Sequence, residues 1–255
     1  MEEPVWGTVQ QEIDDLLARS PNNVSDVVAQ LEELQTLLGK VTPADEQNPV
    51  AAFNHLYGTI TKMIFGQLGD GAFRDPRFLT RLDVEFAKRY FNALRQWGRS
   101  DDRTPEAWKV LFRRLNDRSV RSLPAAAAGV NAHINLDLPF ALLSTWEALG
   151  SGPSKEEQHQ DYLLINQVFF DAIPELRRGY LTTWQLVIDR LNGKLDDWYQ
   201  DRIVEFTRDL AWTEGERLWS IRDDPEALRH ADTSLDWHTA LIGGALLSPL
   251  GGLLQ

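Results

Sequence analysis

The chain contains no cysteine. That absence removes disulfides, Cys-ligated zinc, iron–sulfur clusters and thiol nucleophiles, and it fits a reducing compartment. Positive charge is also in short supply: 26 Lys+Arg face 38 Asp+Glu, and the net charge of −12 argues against nucleic acid as a partner. Alternating Val/Ile/Thr runs beside Asn-Gly turns are missing, and with them the signals of strands and hairpins. The opening residues MEEPVWGTVQQEIDD lack the basic and apolar regions of a secretory signal, so a cytoplasmic location is expected. The run from Leu123 to Leu143 is mostly apolar, but two prolines and four polar residues interrupt it, and no membrane span is expected. No Gly-rich phosphate loop, GxSxG elbow or HExxH is present.

What remains is helical. The 255 residues, 43% hydrophobic and 25% charged, suffice for a sizeable core. Thr8–Ser20 places Val9, Ile13, Leu16 and Leu17 on one side, and Asn23 or Ser25 can cap a second helix running to Leu38. Together they predict a helical hairpin over residues 1–40. Pro49 suits the first position of a third helix, ending near Leu68. A fourth covers Pro76–Trp97, and a fifth runs from Glu106 to about Asn116. A sixth spans Gly129–Trp146, and Ser154 with Glu157 reads as the capping box of a seventh. Pro174 opens an eighth that stops at Asn192-Gly193, a ninth spans Leu195–Arg222, and Pro225 opens a short tenth. Residues 239–255 read as an apolar tail. With no repeat and no long linker, one all-α domain over residues 1–255 is expected, built around the sixth helix.

Charge is distributed unevenly. Residues 74–121 carry 13 Lys+Arg against 7 Asp+Glu, while both flanking regions are acidic. Basic helices packed beside acidic ones explain this, and so does a rim that attracts an anionic ligand.

The segment GVNAHINLDLPFALL, residues 129–143, carries the chemistry. Asn131, His133, Asn135 and Asp137 alternate with apolar residues, yet on a helix the segment is apolar on nearly every side and is therefore buried. His133 and Asp137, four apart, stand one above the other. Burying them costs free energy unless each finds partners. A carboxylate one turn from an imidazole can accept its N–H, favour the imidazolium, or share a metal with it. Pro139 lacks the amide that would bond the Asn135 carbonyl and should kink the helix there. A structural polar network and a ligand site both satisfy this pattern.

The same segment resembles the hallmark of a bacterial and fungal family of uncharacterised proteins, with its G-x-N-A-H-I-N-x-D-L-P motif. FRDPRFLTRLDVEFAKRYFNAL and PEAWKVLF are similar to that family as well, and the resemblance covers most of residues 50–245. It implies kinship of fold and no particular activity. HINLDLP is also similar to the metal-binding helix of zinc-dependent phospholipase C and the related single-strand nucleases, all-α enzymes in which this His and Asp ligate zinc. That similarity would make His133 and Asp137 ligands of a single divalent metal. The other histidines of that family have no counterpart here, where only His55, His159, His230 and His238 remain.

Other residues are candidates for the same site. His55 shares a helix face with small residues, which leaves room for a ligand or for a close neighbouring helix. Asp83 is in line with Ala87, Tyr90 and Leu94, as a buried carboxylate or as the cap of a helix starting at Val84. Tyr57 and Tyr90 can supply hydroxyls, and Asn131 and Asn135 can contact a ligand. His159 reads as solvated, and His230 and His238 as surface or cap residues near loops. The expected function is an enzyme on a hydrophobic small molecule, with His133 as general acid/base oriented by Asp137 and with His55 and Asp83 contributing. Cyclase, isomerase, dehydratase and lyase chemistry, as in natural-product biosynthesis, would need no more than this. A metal-dependent hydrolase and a non-catalytic carrier of a lipid-like ligand are the alternatives. Cofactor requirement (none, or one divalent metal) and oligomeric state stay open at this level.

Overall fold

Several helices begin where a side chain answers the unpaired amides of a first turn. Asn23 accepts the Asp26 N–H at 2.9 Å, and Asn48 accepts those of Val50 and Ala51 at 3.0 Å. Asp75 accepts the Phe78 N–H at 3.0 Å, and Asp224 accepts those of Glu226 and Ala227 at 3.0 Å. After Asn48, Asp75 and Asp224 the next residue is proline, whose fixed φ suits the first helical position. The computed structural model describes residues 5–42, 48–68, 71, 73–172 and 208–248, and among them there is no strand.

The helices are α1 (Gln10–Ala18), α2 (Val24–Leu38), α3 (Pro49–Leu68), α4 (Pro76–Gly98), α5 (Glu106–Phe112) and α6 (Ser122–Ala132). A π turn (His133–Asp137) leads straight into α7 (Leu138–Leu149), followed by α8 (Glu156–Ala172), α9 (Arg208–Ser220) and α10 (Pro225–Leu246). One continuous apolar core, from Trp6 before α1 to Leu246 in α10, makes this an all-α single domain. Its axis is the run α6–π turn–α7. Every residue from Pro124 to Ala132 is buried. Helices α3, α5 and α10 pack around α6, α4 and α9 pack on α7, and the α1/α2 hairpin lies against α3 and α4.

The interruption expected from Pro139 takes the form of the π turn. The Leu138 N–H reaches back five residues to the His133 carbonyl. A proline lacks the amide for the ordinary ladder and crowds the preceding turn, and a turn widened by one residue relieves that crowding. Gly129, one turn before it, marks a close crossing: a Cβ there would lie 2.3 Å from Phe53 Cγ, so only glycine lets α3 approach α6 so closely.

Some expectations change. Helix α8 begins at Glu156, so Ser154 and Glu157 form no capping box. The short helix expected after Pro225 continues for 22 residues and takes in the first part of the expected tail, because Thr239, Ile242, Gly243 and Leu246 bury one of its faces. Asp236 belongs to that helix and caps another: its carboxylate accepts the Glu106 and Ala107 N–H groups of α5 at 2.9 and 2.7 Å. The eighth helix expected over Pro174–Gly193, the start of the ninth over 195–207, and residues 249–255 of the tail lie outside the described residues. Among the described residues no helix is long and apolar enough to cross a membrane. Many cations of the basic stretch are paired on the surface, for example Arg81 and Lys88 with Glu85 and Arg99 with Asp14, which favours the packing account of that stretch.

Candidate functional site

The π turn is where the buried polar residues meet their partners. His133 and Asp137 are each only 3% exposed. His133 Nδ1 and Asp137 Oδ2 are 2.9 Å apart. A carboxylate only accepts, so Nδ1 carries the hydrogen and donates it. The same Oδ2 accepts the indole N–H of Trp108 on α5 at 3.0 Å. On its other side Oδ1 faces Arg89 Nε of α4 at 4.0 Å, and that guanidinium lies 4.6 Å above the Phe140 ring. Burial pulls the Arg89 guanidinium below its usual range, while Asp137, Asp232 and Glu85 act in the opposite sense. Asp137 is thus held by three groups from three elements, and it fixes the tautomer and orientation of the imidazole.

The imidazole itself is enclosed by rings. Phe86 stacks on it with centroids 3.4 Å apart and planes 9° from parallel. Tyr57 meets it edge-on at 4.6 Å and Phe53 at 5.7 Å. Beside these rings lies a cavity of about 60 Å³ between α3 and α4, with His133 in its wall. The two helices run antiparallel in register, Phe53 against Tyr90 and Tyr57 against Phe86. The cavity therefore extends from the His133 end, past Thr61 and Asp83, to an apolar end at Ile64, Leu79 and Ile165. Thr61 spends its hydroxyl on the Tyr57 carbonyl at 3.0 Å.

The structure brings some candidates together and separates others. His133, Asp83 and Tyr57 line the cavity. Asp83 lies mid-way along α4, which starts at Pro76 with Asp75 as its cap, so the capping role considered for Asp83 does not apply. His55 is exposed and does not contribute: Phe53, Tyr57 and Ile60 turn α3 inward, and at about 100° per residue His55 faces away from them. Tyr90 is buried but lies behind Phe53, edge-on at 5.1 Å, and does not reach the cavity. Burial holds its phenol well above the usual value, as a neutral hydroxyl. Asn131 and Asn135 point to the other side of the axis. Asn131 Nδ2 donates to the Thr239 carbonyl of α10 at 2.9 Å, and Asn135 Nδ2 donates to Asn131 Oδ1 at 3.0 Å. Two residues of offset from His133 are enough to turn them away from the cavity, Asn131 toward α10 and Asn135 toward Asn131. His159 is half-buried against Trp212, with ring centroids 4.6 Å apart, and His230 and His238 lie in the body of α10.

Two residues of the site carried no local signal. Trp108 and Arg89 reach Asp137 from 29 and 48 positions away, and nothing in the spacing of PEAWKVLF or EFAKRYF singles them out. For a metal, the donor set is thin. Among the described residues no three His, Asp or Glu side chains come together to hold an ion. The indole N–H and the guanidinium that face Asp137 are both donors, an environment that suits an anion's partners and opposes a cation's.

A buried imidazole–carboxylate pair, held in a π turn on the axis of an all-α bundle and opening on an apolar cavity, defines the class. Residues 24–249 match the model of the family of unknown function DUF5995, and the chain belongs to that family. No curated protein and no solved structure matches it.

Proposed function

We propose that this protein is an enzyme that transfers protons on a small, largely apolar molecule, with His133 as the general acid/base. The observation that carries the reading is that His133 lines the cavity while its Nδ1 is committed to Asp137. Proton exchange with a ligand then runs through Nε2. Asp137, held by Trp108 and Arg89, orients the ring and offsets charge developing on it. The wall is mostly apolar and ring-lined, a low-dielectric surround in which such interactions are stronger than in water. Cyclase, isomerase, dehydratase and lyase steps fall within this chemistry. A carrier of long lipid chains is less well supported, because about 60 Å³ falls well short of the roughly 300–1,000 Å³ of ordinary ligand pockets. The metal-dependent hydrolase is less well supported for the reason given by the donors around Asp137. The absence of cysteine fits cytoplasmic work.

The test is incubation of the full chain with a panel of small apolar ketones, alcohols and amines in deuterium oxide. Mass spectrometry reads carbon-bound deuterium and new products. The expected result is exchange or turnover that falls about a hundredfold or more in His133→Gln. Rates unchanged in a folded His133→Gln protein would overturn the proposal.

A further inference from the structure

We infer that the ligand of this cavity is an unbranched aliphatic chain lying lengthwise between α3 and α4, its functional group at His133 and its methyl end stopped by Ile64, Leu79 and Ile165. The inference rests on the reading of the cavity as the ligand site of His133. It adds the shape of what enters and the residues that set its length. The first support is the course of the walls. Tyr57 and Phe86 meet at one level, beside His133, with ring centroids 5.9 Å apart. Seven residues on along α3 and seven back along α4, Ile64 and Leu79 line the same cavity. Seven helical residues rise about 10 Å, so the cavity runs some two turns alongside both helices. Helix α8 reaches its far end because Asp161 accepts the Arg74 and Asp75 N–H groups at 2.9 and 2.6 Å, which brings Ile165, one turn on, to the start of α4. Ile64, Leu79 and Ile165 are all buried, and a methyl end that reaches them goes no further. The second support is capacity. About 60 Å³ accommodates roughly four to six water-sized groups, at about 10–15 Å³ each. So few atoms reach both ends only in single file, whereas a ring or a branched skeleton of equal mass leaves one end empty. The third is chemistry along the length. The polar side chains at mid-course, Thr61 and Asp83, are both engaged within the protein, Thr61 with the Tyr57 carbonyl. Between them and the far end the wall is aliphatic, with Ile60 and Leu82. Methylene groups suit that wall, and a second polar group on the chain would lose its hydration there.

The experiment titrates the full-length protein with straight-chain methyl ketones from butanone to decanone by isothermal titration calorimetry, with cyclohexanone and tert-butyl methyl ketone as ring and branched controls. Affinity is expected to rise about fourfold for each added CH₂ and then to break, falling once the chain exceeds the cavity. The two controls are expected to bind about tenfold or more weakly than straight-chain hexanone. Ile64→Ala and Ile165→Ala should move the break to longer ketones, and Leu79→Phe to shorter ones. Ile13→Ala, the same truncation in the core of α1 and away from the cavity, should leave the break in place; circular dichroism melts confirm that each variant is folded. Affinity that climbs unbroken through decanone, affinity indifferent to chain length, cyclohexanone binding as tightly as hexanone, or no ketone binding would each overturn the inference in the wild-type protein alone. A break unmoved in all three folded far-end variants would overturn it as well. His133→Gln separates the two proposals, because it should abolish proton exchange yet keep the break and hold affinity within about threefold, since most of the contact lies along the chain. An intact break beside exchange indifferent to His133 would remove the proton-transfer reading alone. No break beside His133-dependent exchange would remove the chain assignment alone.

Discussion

Asp137→Asn exchanges one oxygen for an amide nitrogen at nearly constant volume, so its effect is electrostatic and not the result of a cavity. In the protein Asp137 Oδ2 receives two donors, His133 Nδ1 at 2.9 Å and Trp108 Nε1 at 3.0 Å, while Oδ1 faces Arg89 Nε at 4.0 Å. An asparagine can turn its oxygen toward the first two, but its amide then meets the guanidinium. Turned the other way, the amide confronts two N–H groups. Converting two hydrogen bonds with a charged acceptor, each contributing about 1.5–3 kcal/mol, into neutral ones near 1 kcal/mol costs about 1–4 kcal/mol. Leaving a half-buried Arg89 without its carboxylate brings the loss to about 3 kcal/mol, the lower edge for a broken buried pair, because the Phe140 ring still covers the guanidinium. For a chain of this size that is a melting decrease of about 6–12 °C. Thermal melts followed by circular dichroism, with urea unfolding as the cross-check, measure it. The Trp108→Phe background supplies a second constraint: there Asp137→Asn should cost less, by about 0.5–1 kcal/mol, since one of the shared bonds is already gone. A loss below about 1 kcal/mol in the wild-type background would mean that water replaces the carboxylate at no cost, and the three-way clamp on Asp137 would be refuted.

Gly129→Ala should destabilise the fold by up to about 2 kcal/mol net, because the new Cβ meets Phe53 at 2.3 Å, and overpacking of about 1–3 kcal/mol outweighs the roughly 1 kcal/mol better helix propensity of alanine. A variant more stable than wild type in urea unfolding would refute that close crossing. Asp236→Ala should cost about 1 kcal/mol, a helix cap lost at the start of α5, and hydrogen exchange of the Glu106 and Ala107 amides should quicken. Burial opposes the Asp75 carboxylate, yet the Gln158 and Phe78 hydrogen bonds, with Lys155 and Arg77, hold it below its ordinary value of 3.8. A depressed acid stabilises the fold above its unfolded value and loses that contribution as pH falls through the folded one. Asp75→Asn should therefore flatten the acid limb of a melting-temperature series, and an unchanged limb would contradict it.

Local chemistry made much of the architecture legible. Asn23 before a run of apolar residues at helical spacing, and Pro49, Pro76 and Pro225 at first helical positions, carry their own reason for starting helices. A segment apolar on nearly all sides had to be the axis, and His133 and Asp137, four apart on it, had to meet or be met by partners. Each of these rests on neighbours within about one helical turn, which a sequence displays directly.

The site's walls rest on a different kind of information. Whether His55 or Tyr57 faces inward depends on how α3 is rotated against α6, and that rotation is set by the notch that Gly129 leaves for Phe53. The same packing places Phe86 flat on His133, keeps Asp83 at the cavity, and leaves Tyr90 behind Phe53. Asn131 and Asn135, which share a helical run with His133, are drawn away to α10 by Thr239, more than a hundred positions later. Trp108 and Arg89 reach Asp137 from 29 and 48 positions away. The pair is a local product of the chain, whereas its clamp, its ring enclosure and the cavity exist only where α3, α4, α5 and α6 converge, because contacts between helix faces depend on rotation and depth that no single helix encodes.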